Sequence, residues 1–103
     1  MGNNNKKKSF KKRVISWAEK LDIASRDIVV RSMKNKWASY STSGRLTFDA
    51  LLPDLPEDLQ DYVIVHELLH FHVPNHGKLW KSLMHAHLGS YEDLEKRLQD
   101  ELK

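Results

Sequence analysis

The spacing of apolar residues changes several times along this chain, and each change marks an element. Phe10, Val14, Trp17, Ala18 and Leu21 recur every three or four positions among lysines, which predicts an amphipathic helix over residues 10–21. The β-branched run Ile28-Val29-Val30 predicts a strand over residues 27–33, and Trp37 and Tyr40 mark a second over 36–41. Thr42-Ser43-Gly44 reads as a turn, and the alternation of Leu46 and Phe48 predicts a third strand over 45–49. The expected product is a small antiparallel sheet ending in a hairpin, with residues 45–49 as a free edge on which an extended peptide could pair.

The second half is helical. Asp54, Pro56 and Glu57 carry three start signals for a helix: a capping aspartate, a proline in the first turn and a glutamate three residues after the cap. In the helix that follows, Val63, Ile64, Val65, Leu68, Leu69 and Phe71 surround nearly the whole circumference, so it belongs in the core. Pro74-Asn75 stops it, since proline lacks a donor and its ring blocks propagation. Leu79, Trp80, Leu83, Met84 and Leu88 stripe a further helix over about residues 77–87, ended by Gly89. Ser90 then caps a last amphipathic helix with Tyr91, Leu94, Leu98 and Leu102 on one side. Flanking N- and C-terminal helices, a sheet of about three strands and a core helix make the fold class α+β.

Length allows one domain, set at residues 10–103, with 90–103 as a C-terminal segment that completes the core, covers a cleft or pairs with a second copy. Residues 1–13 carry six Lys or Arg and no acid, while the remaining ninety hold eleven basic and fourteen acidic groups. We therefore read residues 1–9 as a disordered basic tail, and the folded body as mildly acidic. No apolar run reaches eighteen residues, and no apolar segment follows the basic start, so a membrane span and a secretory signal are not expected and the cytoplasm is the default address. There are no cysteines. A disulfide framework, a thiol nucleophile and a thiolate-bound metal are thereby excluded, and any metal must be held by His, Glu or Asp.

The chemistry is concentrated in His66-Glu67-Leu68-Leu69-His70, followed six residues later by His76. Four residues is about one helical turn, so His66 and His70 project from one face within reach of one ion. Two imidazoles and a carboxylate on an otherwise apolar helix are costly unless something charged compensates, and a metal dication does so most economically. A chain that turns back at Pro74 brings His76 to the same ion from another side. Three histidines with one open position describe catalytic rather than structural zinc, one ion per chain. Glu67, beside the first ligand, is then the proton acceptor for water attacking a carbonyl. His72 lies only two residues past His70, on another face, and is the weaker choice for third ligand. Tyr40, Tyr91 and His87 are candidates to bind substrate or its oxyanion, with His85 beside them; for each a structural role is the stronger reading, core packing at a helix start for Tyr91 and a surface or supporting position for His85 and His87.

Beyond the five-residue motif, Met33-Lys34-x-Lys36-Trp37, the Gly44 turn, Leu46-Thr47-Phe48, Leu51-Leu52-Pro53, Tyr62 to His70 and Asn75-His76-Gly77-x-x-Trp80 resemble the YgjP-like metallopeptidase domain. In length the chain is similar to the minimal gluzincins called minigluzincins. The resemblance implies a zinc-dependent metalloendopeptidase with a thermolysin-like minimal core, in which His66, His70 and His76 match the ligands and Glu67 the catalytic glutamate. It also implies a C-terminal segment able to hold the enzyme latent as a zymogen. Where that pattern has Trp-Gly-Ser-Cys, this chain has Trp37-Ala38-Ser39-Tyr40. The expected partner is a peptide or protein substrate, with self-association through the C-terminal segment as a further possibility. The rival readings are a non-catalytic metal-binding module and a nucleic-acid-associated one using the basic arm. Nucleic acid is disfavoured because the charge lies in a segment read as disordered, and Glu67 has no purpose in either rival.

Overall fold

The computed structural model describes residues 2–23, 27–34, 36–41, 43–73 and 75–101; Thr42, Pro74 and Leu102, to which the sequence assigns a turn, a helix stop and a stripe position, lie outside them. Four helices and a three-stranded sheet follow in the order α1 (Gly2–Lys20), β1 (Asp27–Arg31), β2 (Ala38–Tyr40), β3 (Arg45–Asp49), α2 (Glu57–Leu69), α3 (Lys78–Leu88) and α4 (Tyr91–Glu101), with one 3-10 turn, Leu52–Asp54, before α2. The architecture is α+β. No helix among the described residues is long and apolar enough to cross a membrane.

Helix α1 begins at Gly2 and so takes in the segment read from sequence as a disordered tail. Lysine stands well in a helix, and the stripe that anchors it starts at Phe10. Phe10, Val14 and Ala18 are buried, Phe10 meeting Phe48 of β3 edge to face at 5.1 Å. Arg13 reaches Asp61 at 2.8 Å and Glu57 at 2.6 Å, and the Trp17 indole donates to Asp61 at 2.8 Å. The ion pairs raise the Arg13 pKa further above its ordinary value, chiefly through the Asp61 hydrogen bond. They fix α1 against the first half of α2.

The sheet is mixed, in the order β1-β3-β2, and not antiparallel throughout. β2 and β3 form the expected antiparallel hairpin, with Ser39 opposite Thr47, closed by a turn in which Gly44 sits at φ 96°. β1 instead pairs parallel to β3, Val29 opposite Thr47. β3 is therefore central and buried at Leu46, Thr47, Phe48 and Asp49, and cannot accept a further strand. Alternating hydrophobicity reports which face a side chain takes but not which way a neighbour runs, so this pairing was hidden from sequence. Asp49 makes the crossing possible: its carboxylate accepts from Met33 N at 2.8 Å and Leu51 N at 2.9 Å, while its backbone N–H donates to Trp37 O. The link from β1 to β2 is thus held over the end of β3.

Helix α2 is buried at Leu59, Tyr62, Val63, Ile64, Val65, Leu68 and Leu69, as its all-round apolar surface requires. Its cap is Pro56 and not Asp54, which closes the preceding 3-10 turn and bonds Lys6 at 2.9 Å. The first turn is stabilised by Glu57 and Asp58 against the helix dipole. Helix α3 ends at Gly89, whose φ of 69° is left-handed and suits glycine.

Candidate metal centre

Three imidazoles converge at the C-terminal end of α2. His66 and His70 leave the same face of that helix, one turn apart, with ring centroids 5.0 Å from each other. Past His70 the chain turns, Val73 N bonding back to Leu69 O, and His76 arrives just before α3 with its ring 5.0 Å from His66 and 4.8 Å from His70. One ligand atom from each of the three lies within 4.8 Å of the other two, and no other such group of His, Asp or Glu occurs among the described residues. The Nε2 atoms of His76 and His70 are 3.0 Å apart. Tetrahedral zinc with bonds of about 2.0–2.1 Å holds its nitrogens roughly 3.3 Å apart, so the residues fit such an ion with small adjustment.

Two further features suit a metal. His70 Nδ1 lies 3.3 Å from Val73 O; donating there, it leaves Nε2 as the lone-pair nitrogen, the arrangement in which metal-bound histidines are oriented by a backbone carbonyl. Burial, helped by His66 and His70, lowers the His76 pKa, so its ring is neutral and free to ligate at neutral pH. His72 goes elsewhere, its Nε2 3.0 Å from Leu21 O.

Glu67 is nearly buried, its side chain 12% exposed, with Oε1 3.6 Å from His66 Nδ1. No Lys or Arg pairs with it among the described residues. It opens with His66 onto a cleft of about 290 Å³ between Lys36, Trp37 and Ala38 on one side and Tyr62 and Val63 of α2 on the other. Glu95, Leu98 and Gln99 of α4 form the remaining wall.

The other sequence candidates separate. Tyr40 reaches the site, its ring stacked on His70 at 5.9 Å and 38% exposed at the end of β2. Tyr91 is buried one layer behind, stacked on Tyr62 at 6.3 Å and edge-on to Trp80 at 5.9 Å. His87 is on the far side of α3, with its ring against Trp17 of α1 at 6.1 Å, and is not brought to the triad. His85 pairs with Glu92 at 3.0 Å.

Two residues at the site were not singled out as site residues by sequence reasoning. Trp80 packs against all three imidazoles, at 5.1, 6.2 and 4.5 Å from His66, His70 and His76, and its buried indole N–H has no partner among the described residues. Tyr62 lies 5.9 Å from His66; burial first, then the charge of Glu95, pushes its pKa well above the ordinary phenol value. The available signal was spacing: Trp80 follows His76 by four residues, and Tyr62 precedes His66 by four.

The family model described as "YgjP-like, metallopeptidase domain" matches residues 3–101. Among solved structures, the metallopeptidase zymogen of Methanocaldococcus jannaschii jannalysin is similar, with a TM-score of 0.82 and 27% identity over 91% of this chain and 97% of that one. No curated protein matches.

Proposed function

The chain belongs to the YgjP-like metallopeptidase family, and from that premise we propose that it is a zinc-dependent endopeptidase whose metal is held by His66, His70 and His76 and whose general base is Glu67. When bound, zinc supplies Lewis acidity, which brings a water ligand's pKa to about 7 and polarises a carbonyl. The protein supplies the rest. Glu67 accepts the proton of the attacking water and returns it to the departing amine, a role suited to a nearly buried carboxylate that no Lys or Arg neutralises among the described residues and that opens onto the cleft. Trp80 holds the three rings by packing, and the Val73 carbonyl fixes the His70 tautomer.

The substrate strand docks on β2, not on residues 45–49, since β2 is the sheet edge beside the site. An extended peptide paired there passes Tyr40, whose hydroxyl is the best placed of the three candidates to meet a carbonyl oxygen. The observation that carries this reading is that Glu67 and His66 open onto one cleft bounded by that same edge.

The decisive comparison is zinc content and peptide hydrolysis in the intact protein and in Glu67→Gln. We expect one zinc per chain in both, with hydrolysis reduced by about 10²–10⁴-fold in the variant. Hydrolysis undiminished in Glu67→Gln would remove it as the base, and an intact protein that takes up no zinc would remove the enzyme reading.

The wall formed by α4 supports a second element of the reading, that the protein is made latent. Leu98 is buried beside the cleft, and Arg97 ties α4 to Asp58 of α2 at 2.8 Å. The jannalysin structure is that of a zymogen. If α4 restrains this enzyme too, Leu98→Ala raises hydrolysis severalfold while zinc content is unchanged; activity that stays level or falls speaks for α4 as a fixed part of the substrate cleft.

A further inference from the structure

His76 is the one histidine of the triad that α2 does not carry. His66 lies within that helix and His70 caps its end, so their rings share one rigid support. His76 stands before α3, which begins at Lys78, and its ring is set by its neighbours. His70 has the Val73 carbonyl at Nδ1. His76, whose Nε2 faces His70, has no group within hydrogen-bond distance of Nδ1 among the described residues. Its nearest ring is Trp80, 4.5 Å away, against 5.0 Å for His66 and 4.8 Å for His70. Trp80 is itself firmly held, 4% exposed in the first turn of α3 and edge-on to Tyr91 of α4 at 5.9 Å. The three imidazole centroids form a nearly equilateral triangle with sides of 5.0, 5.0 and 4.8 Å, and Trp80 lies off its plane, over the edge from His66 to His76. The orphaned indole N–H is a cost that phenylalanine would not carry, so packing stability alone does not account for a tryptophan here.

We propose that Trp80 sets the metal selectivity of the three-histidine centre, favouring zinc over copper(II) by keeping the His76 ring in its place on the triangle. A set of nitrogen donors binds copper(II) more tightly than zinc unless geometry opposes it. Copper(II) favours a tetragonal plane and zinc a tetrahedron, and three donors at the corners of a triangle suit the second. To occupy three corners of a square instead, one ring has to swing out. His66 and His70 are tied to α2, so that ring is His76, and the indole stands against it. Trp80 acts through the ligands and is a positioning residue, doing for His76 what the Val73 carbonyl does for His70. The inference rests on the reading that these three histidines hold the metal.

The test measures zinc and copper(II) affinities by competition with a chromophoric chelator, and the visible absorption of the cobalt(II)-loaded site, in the intact chain, Trp80→Leu and Trp80→Phe. Leucine fills much of the space without a flat face, whereas phenylalanine keeps a ring and drops the orphaned donor. In Trp80→Leu zinc should weaken by about 10–100-fold, the usual effect of losing a group that supports a ligand. Copper(II) should weaken by less, so the ratio of zinc to copper affinity falls, and the intense bands of tetrahedral cobalt should fade. Trp80→Phe should restore most of both. Circular dichroism of the metal-free proteins checks the fold, and Trp80→Met, with a flexible side chain of similar reach, takes the place of Trp80→Leu if the latter is unfolded. Zinc and copper weakened by the same factor would make Trp80 a general support and overturn the proposal. So would unchanged affinities for both metals. An intact chain that binds no zinc fails the ligand assignment itself, and this inference with it.

Discussion

His70, His72 and His76 are close in sequence and differ in what their second nitrogen meets. His70 has Val73 O at one nitrogen and His76 at the other, while His72 turns away to Leu21 O. His76→Ala should therefore lose zinc by more than the ~10–100-fold typical of removing a supporting group, and His72→Ala should keep it. Isothermal titration with zinc distinguishes the two, and equal affinities would move the third ligand elsewhere. Tyr62 carries a different expectation. Its pKa is raised in the fold by burial and by Glu95, so the folded state holds the phenol proton more tightly than the unfolded state. The associated stability is complete below the unfolded value of about 10 and is lost as pH rises above it. Urea midpoints should drop between pH 9 and 11 in the intact protein, and drop less in Tyr62→Phe, with Tyr91 contributing the residual fall because burial raises it as well.

At the scale of elements, the sequence told type better than partnership. The α2, α3 and α4 stripes and the β2–β3 hairpin were legible because each depends on a local period or a turn residue. The parallel pairing of β1 and β3 was not legible, because it depends on Asp49 receiving two backbone donors from outside its own strand. The site divides likewise: His66, Glu67 and His70 follow from one helical turn, whereas the α4 wall enters through tertiary packing that no period encodes. Asp54 shows the opposite failure, a good cap signal overruled by a 3-10 turn that ends before the helix begins. Asp49→Ala leaves Met33 N and Leu51 N without their acceptor in a partly buried setting. At about 1.5–3 kcal/mol for each charge-assisted bond, it should cost roughly 3 kcal/mol or more, read as a lowered urea midpoint with the helical signal intact in the absence of denaturant. A loss under 1 kcal/mol would mean that water replaces the carboxylate.

Across the whole molecule, the His66–Glu67 end of the metal centre, the sheet edge at Ala38 and helix α4 share one cleft. The passage of the β1–β2 link over the end of β3 also sets a timetable for the chain. β1 finds its hydrogen-bond partner only when residues 45–49 are in place, eighteen positions later, and Asp49, the last residue of that strand, is what closes the link. A nascent or truncated chain ending before Arg45 carries Ile28 and Val30 on a strand with nothing to pair with. Sheet closure is then a late and cooperative step, and fragments lacking β3 should aggregate where the complete chain does not.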